Sequence, residues 1–495
     1  MNSACRRIKG RVIAGFLVLT AIGMHACGGS GEENEETVWP PNTDPTHFEM
    51  THERVLADAE TGGLLQPQIQ AGVDRNGRVH IVHYAASPSY PVDQLPEGHD
   101  LIANPLRFMI RHIEFDPSQP DVDLSNFEET LTVTPPQDGD DLPLIDDAGI
   151  DNCNLLGLSF SDGISPVVVY QGGNRPGAAD GLPCNNYYQG DLMVSVRSGN
   201  VWQEYMGIQG DAGVKNPYFT DGMVGMAGDV VVDSTGHIHM VAQHYYEWCD
   251  MHGASYPDLL YVRQSPAELG AYSVAMESWV GDHNQYGGGV GIQNATGDHC
   301  RIILDGSEQP AVFYTFTTIA GESEIRVSRL SQAGWTTSSV YAVPDLYTVT
   351  AISPAAAPDG TLGVAYSLAS HDDEDPFSYR DHLCYAHLTE DGTWENTAVD
   401  YYSYCGRAAV LAFDHHSRPA IAYHDEKAHT EYRERNDLKY AYLDGNNQWQ
   451  RETAANEGDI GLSSALWFDV YNRANICTYM QDLHKIVVLR RVLPN

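Results

Sequence analysis

The chain has 495 residues, with 28 Lys and Arg against 67 Asp and Glu, and a formal net charge of −39. That balance excludes nucleic acid and anionic membrane surfaces as general partners, because both repel a polyanion. One apolar run near the start approaches membrane-spanning length, and no other segment does.

That run comes first in chain order. Arg6, Arg7, Lys9 and Arg11 precede the apolar stretch 12–24, and His25-Ala-Cys27 follows. A basic start, a short apolar core and a small residue before the cut predict a bacterial-type secretory signal over 1–26. Its four cations leave with it, so the mature charge moves from −39 to −43. Cys27, followed by Gly28-Gly-Ser-Gly31 and an acidic stretch, resembles a lipoprotein signal, which implies a lipidated Cys27 and a membrane-anchored protein; plain secretion is the alternative. Residues 27–45 then form a solvated tether, with Glu32, Glu33, Glu35, Glu36 and the Pro40-Pro41 pair opposing packed structure.

From residue 46 to 495 one sentence is repeated seven times. A strand meets a tight turn at Asp74-Arg-Asn-Gly77, Ser161-Asp-Gly163, Asp233-Ser-Thr-Gly236, Asp305-Gly-Ser307, Asp359-Gly360, Asp414-His-His-Ser417 and Asp469-Val-Tyr-Asn472. A second strand follows and ends in Tyr84, Tyr170, Tyr245, Tyr314, Tyr366, Tyr423 or Tyr479. Taking Asp162 for the second copy, the Asp spacings are 88, 71, 72, 54, 55 and 55, a regular period with longer loops early on. Asp and Gly suit such turns because both tolerate the required backbone angles. A third strand and an outer strand complete each copy, the outer one opening with Trp202, Trp279, Trp335, Trp394 or Trp449. Four short antiparallel strands at this period predict an all-β, seven-bladed propeller. The seventh copy stops after its third strand, and the alternating stretch Phe48–Leu56 is expected to supply the missing outer strand and close the ring.

Seven cysteines lie in the repeat region. Neighbours in sequence suggest bridges 153–184, 249–300 and 384–405 (Cys153, Cys184, Cys249, Cys300, Cys384, Cys405), with Cys477 buried and free. Cys249, His252, His299 and Cys300 are also zinc-ligand types, and Asp372-Asp-Glu-Asp375 is a calcium-ligand type. The disulfide explains the cysteines more economically, so no cofactor is expected.

The long loops follow the second strands, at 87–104, 172–190, 247–258 and 370–381, all on the face opposite the Asp turns. Elaborated loops on a rigid scaffold are where sites form. The seven tyrosines recur in every copy and therefore read as structural, each hydroxyl capping an inner strand. Departures from the repeat are better candidates: His83 and His244 before their Tyr, His424 after it, and Asn152, His299, Arg301 and Arg407 at inner-strand entrances.

In the third copy, the run from Asp233 to Met240, His244 and then Leu260-Tyr-Val-Arg-Gln-Ser265 resembles the repeat of the BNR-type, sialidase-like propellers. Thr389-Glu-Asp-Gly-Thr-Trp394 is similar to a degenerate Asp-box of that group. Seven-bladed polysaccharide lyases of the ulvan-lyase type belong to it. The resemblance implies a His and Tyr that abstract and return protons at a uronate, with an Arg on its carboxylate: His244 or His83, Tyr245 or Tyr170, and Arg263. β-Elimination needs both proton transfers and charge relief, and neutral His serves near pH 7. Against this stand the negative charge, which disfavours a polyanionic substrate, and non-enzymatic propellers that use the same repeat. The leading expectation is a monomeric module in the cell envelope that binds a glycan, peptide or protein at the loop-rich face; the alternative is the lyase.

Overall fold

The structure is a computed structural model, and it describes residues 47–57, 68–86, 108–119, 123–130, 155–176, 188–208, 222–246, 256–269, 277–280, 295–318, 320–370, 381–401, 404–426 and 436–492. Pro45–Asn495 forms one compact unit. Among the described residues it contains seven four-stranded antiparallel sheets, the blades of a propeller, six of them in simple sequential order. Blade three serves as the type: inner strand Gly222–Val232, second strand Ile238–Tyr246, third strand Tyr256–Gln264 and outer strand Glu277–Trp279.

The ring closes as expected. His47–Val55 pairs antiparallel with Lys485–Val492 and becomes the outer strand of blade seven. Blade one then begins at Ile69–Val73. Closure gives blade seven the same four strands as the other blades and clasps the first described strand to the last.

Five of the seven turns are shaped by their first residue. One carboxylate oxygen of Asp74, Asp233, Asp305, Asp414 and Asp469 accepts backbone N–H groups two and four residues on. The fourth position of the turn takes a left-handed backbone, at φ 80° in Gly77 and 84° in Gly236, and Asn472 tolerates 61° there. Adjacent turns are also stitched together, as where the Arg75 N–H donates to the Gly163 carbonyl at 2.6 Å and the His415 N–H to Asn472 Oδ1 at 2.7 Å.

The core lies between blades, because alternation along each strand sends one row of side chains to each neighbouring blade. Among the described residues there are seven hydrophobic clusters, and each joins two adjacent blades. The cluster of Val79, Ile81, Trp467, Cys477 and Tyr479 joins blade one to blade seven, so closure rests on packing as well as strand pairing. The outer-strand tryptophans wedge backwards into the preceding blade. Trp335 meets Tyr261 edge-on at 5.1 Å, Trp394 meets Phe313 at 5.8 Å, and Trp449 meets Tyr385 at 5.4 Å. Trp279 departs from expectation: it ends its three-residue outer strand rather than opening it.

Two further expectations are corrected. The described tyrosine hydroxyls do not cap inner strands but reach outward. Tyr314 bonds Ser328 Oγ on its third strand at 3.1 Å, Tyr366 donates to Asn396 Oδ1 on its outer strand at 2.9 Å, and Tyr423 donates to Asp400 Oδ2 of blade five at 2.7 Å. Cys384 and Cys405 are free buried thiols rather than a bridge, since they belong to different inter-blade clusters. Cys300 is likewise a free buried thiol, not bridged to Cys249, and Cys477 is buried and free as expected. Burial pushes Cys300 and Cys405 up to about 12 and Cys384 up to about 11, so none is a nucleophile at neutral pH. Cys27, Cys153, Cys184, Cys249, His252 and Asp372–Asp375 lie outside the described residues.

Candidate functional site at the loop face

The inner strands run from the loop face to the Asp turns, and their first halves are irregular. Between Val224 and Gly228 the inner strand of blade three advances four residues while its partner advances two. The same gain occurs from Thr296 to Cys300 in blade four and from Ile460 to Ser464 in blade seven. Blade six breaks register twice, on either side of Arg407. Gly406 at φ 103° and Ala408 at φ 52° make that double bulge possible. Bulges re-aim side chains, and here the re-aimed residue is Arg407.

Arg407 joins two blades. Its Nε donates to Asp381 Oδ2 of blade five at 3.0 Å, and its Nη1 donates to Glu426 Oε2 of blade six at 3.2 Å. The same junction holds Lys439 on Asp425 Oδ2, and Arg451 on Asp400 Oδ1 at 3.0 Å. Asp381, Asp400, Asp425 and Asp437 are all buried, whereas Arg407 is 44% exposed. Burial raises the Asp425 pKa against the opposing Lys439 ammonium, and the Asp400 and Asp437 carboxylates add to the rise. The Cys405 thiol donates to the Asp381 carbonyl at 3.5 Å. A half-exposed cation thus sits over a buried, carboxylate-rich floor. His424 lies opposite Arg407 in register, but by alternation its buried ring belongs to the blade-seven side of the sheet.

A second polar lining belongs to blades three and four. Arg301 Nη1 donates to the Gly228 and Cys300 carbonyls at 3.2 and 3.0 Å, which ties the two inner strands together. Asp229 accepts the Ile302 N–H at 3.1 Å, and burial pushes its pKa up to about 6 against the Arg301 charge. The backbone N–H of His299 donates to Thr315 Oγ1 at 3.2 Å inside the blade-four bulge.

The residues implied for proton transfer are dispersed. His83 is fully buried, and its Nε2 meets Glu128 Oε1 at 2.9 Å, in a cluster with Arg54 and Arg111. Burial works against the Glu128 carboxylate, but the bonds from His83 and Arg54 outweigh it and hold the pKa at about 2. That cluster pins the closing strand to blade one. Tyr170 is buried, with its hydroxyl on Glu204 and Ser195. Arg263 stands in register with His239 beside the Asp233 turn, 3.8 Å from Asp233 Oδ2. His244 is five residues further along the second strand, about 17 Å at ~3.4 Å per residue. Arg263 therefore serves the turn face, not the loop face, and cannot share a ligand carboxylate with His244. The side chains of His244 and Tyr245, and Asn152 altogether, lie outside the described residues. Among the described residues, no group of His, Cys, Asp and Glu has the arrangement of a metal site.

Sequence reasoning found Arg407 but missed Asp381, Asp400, Asp425, Asp437 and Lys439. A signal was present: Asp191, Asp258 and Asp437 each directly precede a Leu at a third-strand start, and Asp381 lies two residues before Leu383.

No protein-family model matches the chain, and no curated protein matches its sequence. Solved structures similar to it include an ulvan lyase of polysaccharide lyase family PL25, at 11% identity and TM-score 0.46 over 86% of this chain and 95% of that one. The Hadza microbial sialidase Hz136 aligns at 14% identity and TM-score 0.43 over 88% and 94%. An α-L-arabinofuranosidase of family GH93 from Fusarium graminearum aligns at 10% and 0.42 over 69% and 92%.

Proposed function

We propose that the chain is an exported, lipid-anchored propeller that binds a glycan at its loop face and leaves it chemically unchanged. The observation that carries the reading is Arg407, re-aimed by a double bulge, 44% exposed and held by carboxylates from two blades. Sugars are bound by such fixed planar donor and acceptor sets, because each hydroxyl both gives and takes a hydrogen bond. The dispersal of His83, Tyr170 and Arg263 favours retention over turnover. Lipidation of Cys27 would hold the chain outside the cytoplasm.

The test is calorimetric titration of the mature chain with neutral, uronate-containing and amino-sugar oligosaccharides, with ultraviolet absorbance followed in the same samples. Saturable binding without new absorbance, weakened about tenfold or more by Arg407→Ala, supports the reading. Growth of unsaturated product absorbance that His244→Ala abolishes would replace it with the lyase. Radiolabelled palmitate incorporation lost in Cys27→Ser tests the anchor.

A further inference from the structure

The outer strand of a blade has one neighbour in its sheet, so alternate residues direct their backbone N–H and C=O away from the blade. Proteins blunt such edges by keeping them short, charging them or covering them, because an open edge is a template for a further strand. Six blades follow that rule. Glu128–Thr130 and Glu277–Trp279 are three residues long. Val201–Ile208, Trp394–Asp400 and Trp449–Ala455 carry Glu204, Glu395 and Arg451. His47–Val55 carries Glu49, Glu53 and Arg54, and it is met from outside by a bridge from Glu53 to Asp123 and by the Gln119 carbonyl, 2.6 Å from His52 Nε2. Blade four departs from the rule. Its outer strand, Gly334–Val343, has ten residues, the longest of the seven, and no Asp, Glu, Lys, Arg or Pro. Thr336, Thr337, Ser338 and Ser339 are all exposed.

The open stretch is regular and bounded. It pairs with Ser323–Ser331 in unbroken register from Gly334 to Ser339. At one end Trp335 Nε1 donates to Ser278 Oγ of blade three at 3.2 Å, and at the other the Val340 carbonyl accepts from Asn396 Nδ2 of blade five at 3.3 Å. Composition selects the occupant. The chain carries a net charge of −39, so two copies repel over most of their surface. In a two-fold pair each strand meets its own sequence, which sets like charges against each other on a charged strand and none on this one. An axis at Thr337 places Thr337 opposite Thr337 of the second copy and Thr336 opposite its Ser338. Such Thr–Thr and Thr–Ser pairs are favourable across an antiparallel ladder. We propose that two copies of the chain associate here, blade four to blade four through antiparallel outer strands, in place of the monomer expected from the sequence. A contact this short buries little area, so the association is transient, and it strengthens as salt screens the net charge.

The experiment is sedimentation velocity on the mature chain with Cys27→Ser, in reductant, from about 1 to about 500 μM and at about 0.05 and about 0.5 M NaCl. The expected result is a reversible monomer–dimer equilibrium that tightens at the higher salt. Thr336→Glu with Ser338→Glu, and separately Thr336→Lys with Ser338→Lys, should each raise the dissociation constant about tenfold or more. An equimolar mixture of the two double variants should restore the dimer. Restoration requires the two strands to face each other, and a variant that merely unfolds does not produce it. Thr397→Glu, exposed on the outer strand of blade five, should leave the equilibrium unchanged. A single species of monomer mass across the whole range, association that weakens with salt, a dimer that both double variants leave intact, or a mixture that stays monomeric overturns the proposal. The glycan-binding reading stands or falls separately.

Discussion

Blade one contains a buried pair of histidines whose protonation the fold opposes. His80 Nδ1 lies 2.9 Å from His112 Nε2, and His112 Nδ1 lies 2.9 Å from Glu129 Oε1. With His112 donating to Glu129, its Nε2 must accept from His80, which leaves the His80 Nε2 lone pair facing Asp74 Oδ2 at 3.6 Å. Arg78 and Arg197 surround the pair through Glu114, Arg197 also meets Glu129, and Phe160 packs edge-on over His80. Burial, and then the His112 charge, push the His80 pKa down to about 4, with Glu114 and Asp74 opposing; burial also lowers His112. The unfolded chain takes up a proton near pH 6.5 while the folded chain does not, so stability falls as pH drops below 6.5. From pH 6.5 to 5 the loss from His80 is about 2 kcal/mol, at about 1.36 kcal/mol per pH unit. Asp229, raised to about 6, has the opposite sign and stabilises the fold over part of that window. The discriminating quantity is therefore a difference. Urea unfolding of wild type and His80→Asn at pH 7.5 and 5.0 should show the variant losing about 2 kcal/mol less. Asn keeps a donor toward His112 and cannot titrate. Parallel pH dependences in the two proteins would refute the reasoning.

Four other outcomes follow from the packing and bonding. Cys384 and Cys405 should resist alkylation in the folded protein and react fully on unfolding without reductant, as read by mass spectrometry. A Gly157→Ala change places a Cβ 2.6 Å from Asp229 Oδ1 and 3.0 Å from the Val230 nitrogen; it should destabilise by about 1–3 kcal/mol in urea melts. Deleting residues 47–55 removes the outer strand of blade seven, together with Arg54 from Glu128. Chemical unfolding should then lose its single transition and blade seven should become the first site of proteolysis. Arg263→Ala should leave oligosaccharide affinity within about twofold by calorimetry, because Arg263 attends the Asp233 turn.

Much of the fold was legible because its cause is local. An Asp that collects two backbone N–H groups within four residues writes itself into the sequence, and Asp74, Asp233, Asp305, Asp414 and Asp469 all do so. The closing strand was legible by the same logic, as an alternating stretch placed before an incomplete last copy. The partners of side chains were not. Ile302 finds Asp229, and Val232 finds Ser159, each 73 residues away across a blade boundary. Nothing near Arg263 in sequence says which end of the blade it occupies, and only the register with His239 decides it.

The division between the legible and the hidden parts bears on where recognition lies. At the turn face the polar groups are consumed by the fold: Arg418 and Arg473 each close on the Asp of their own turn, and Asn472 Nδ2 donates to Asp414. The Asp carboxylates of five turns are likewise taken by their own backbone N–H groups, so a ligand there would meet few unspent acceptors. At the loop face the copies diverge. Along the inner strands, blades three, four and seven insert two residues over a single stretch, blade six splits its insertion around Arg407, and blade five breaks register once, between Val349 and Ala351. Such differences contribute nothing to blade pairing, which needs only regular strands. They do alter which side chains face the rim, and at the junction of blades five and six they leave an arginine half exposed above buried carboxylates. Repetition made the scaffold, and the departures from repetition made the candidate site.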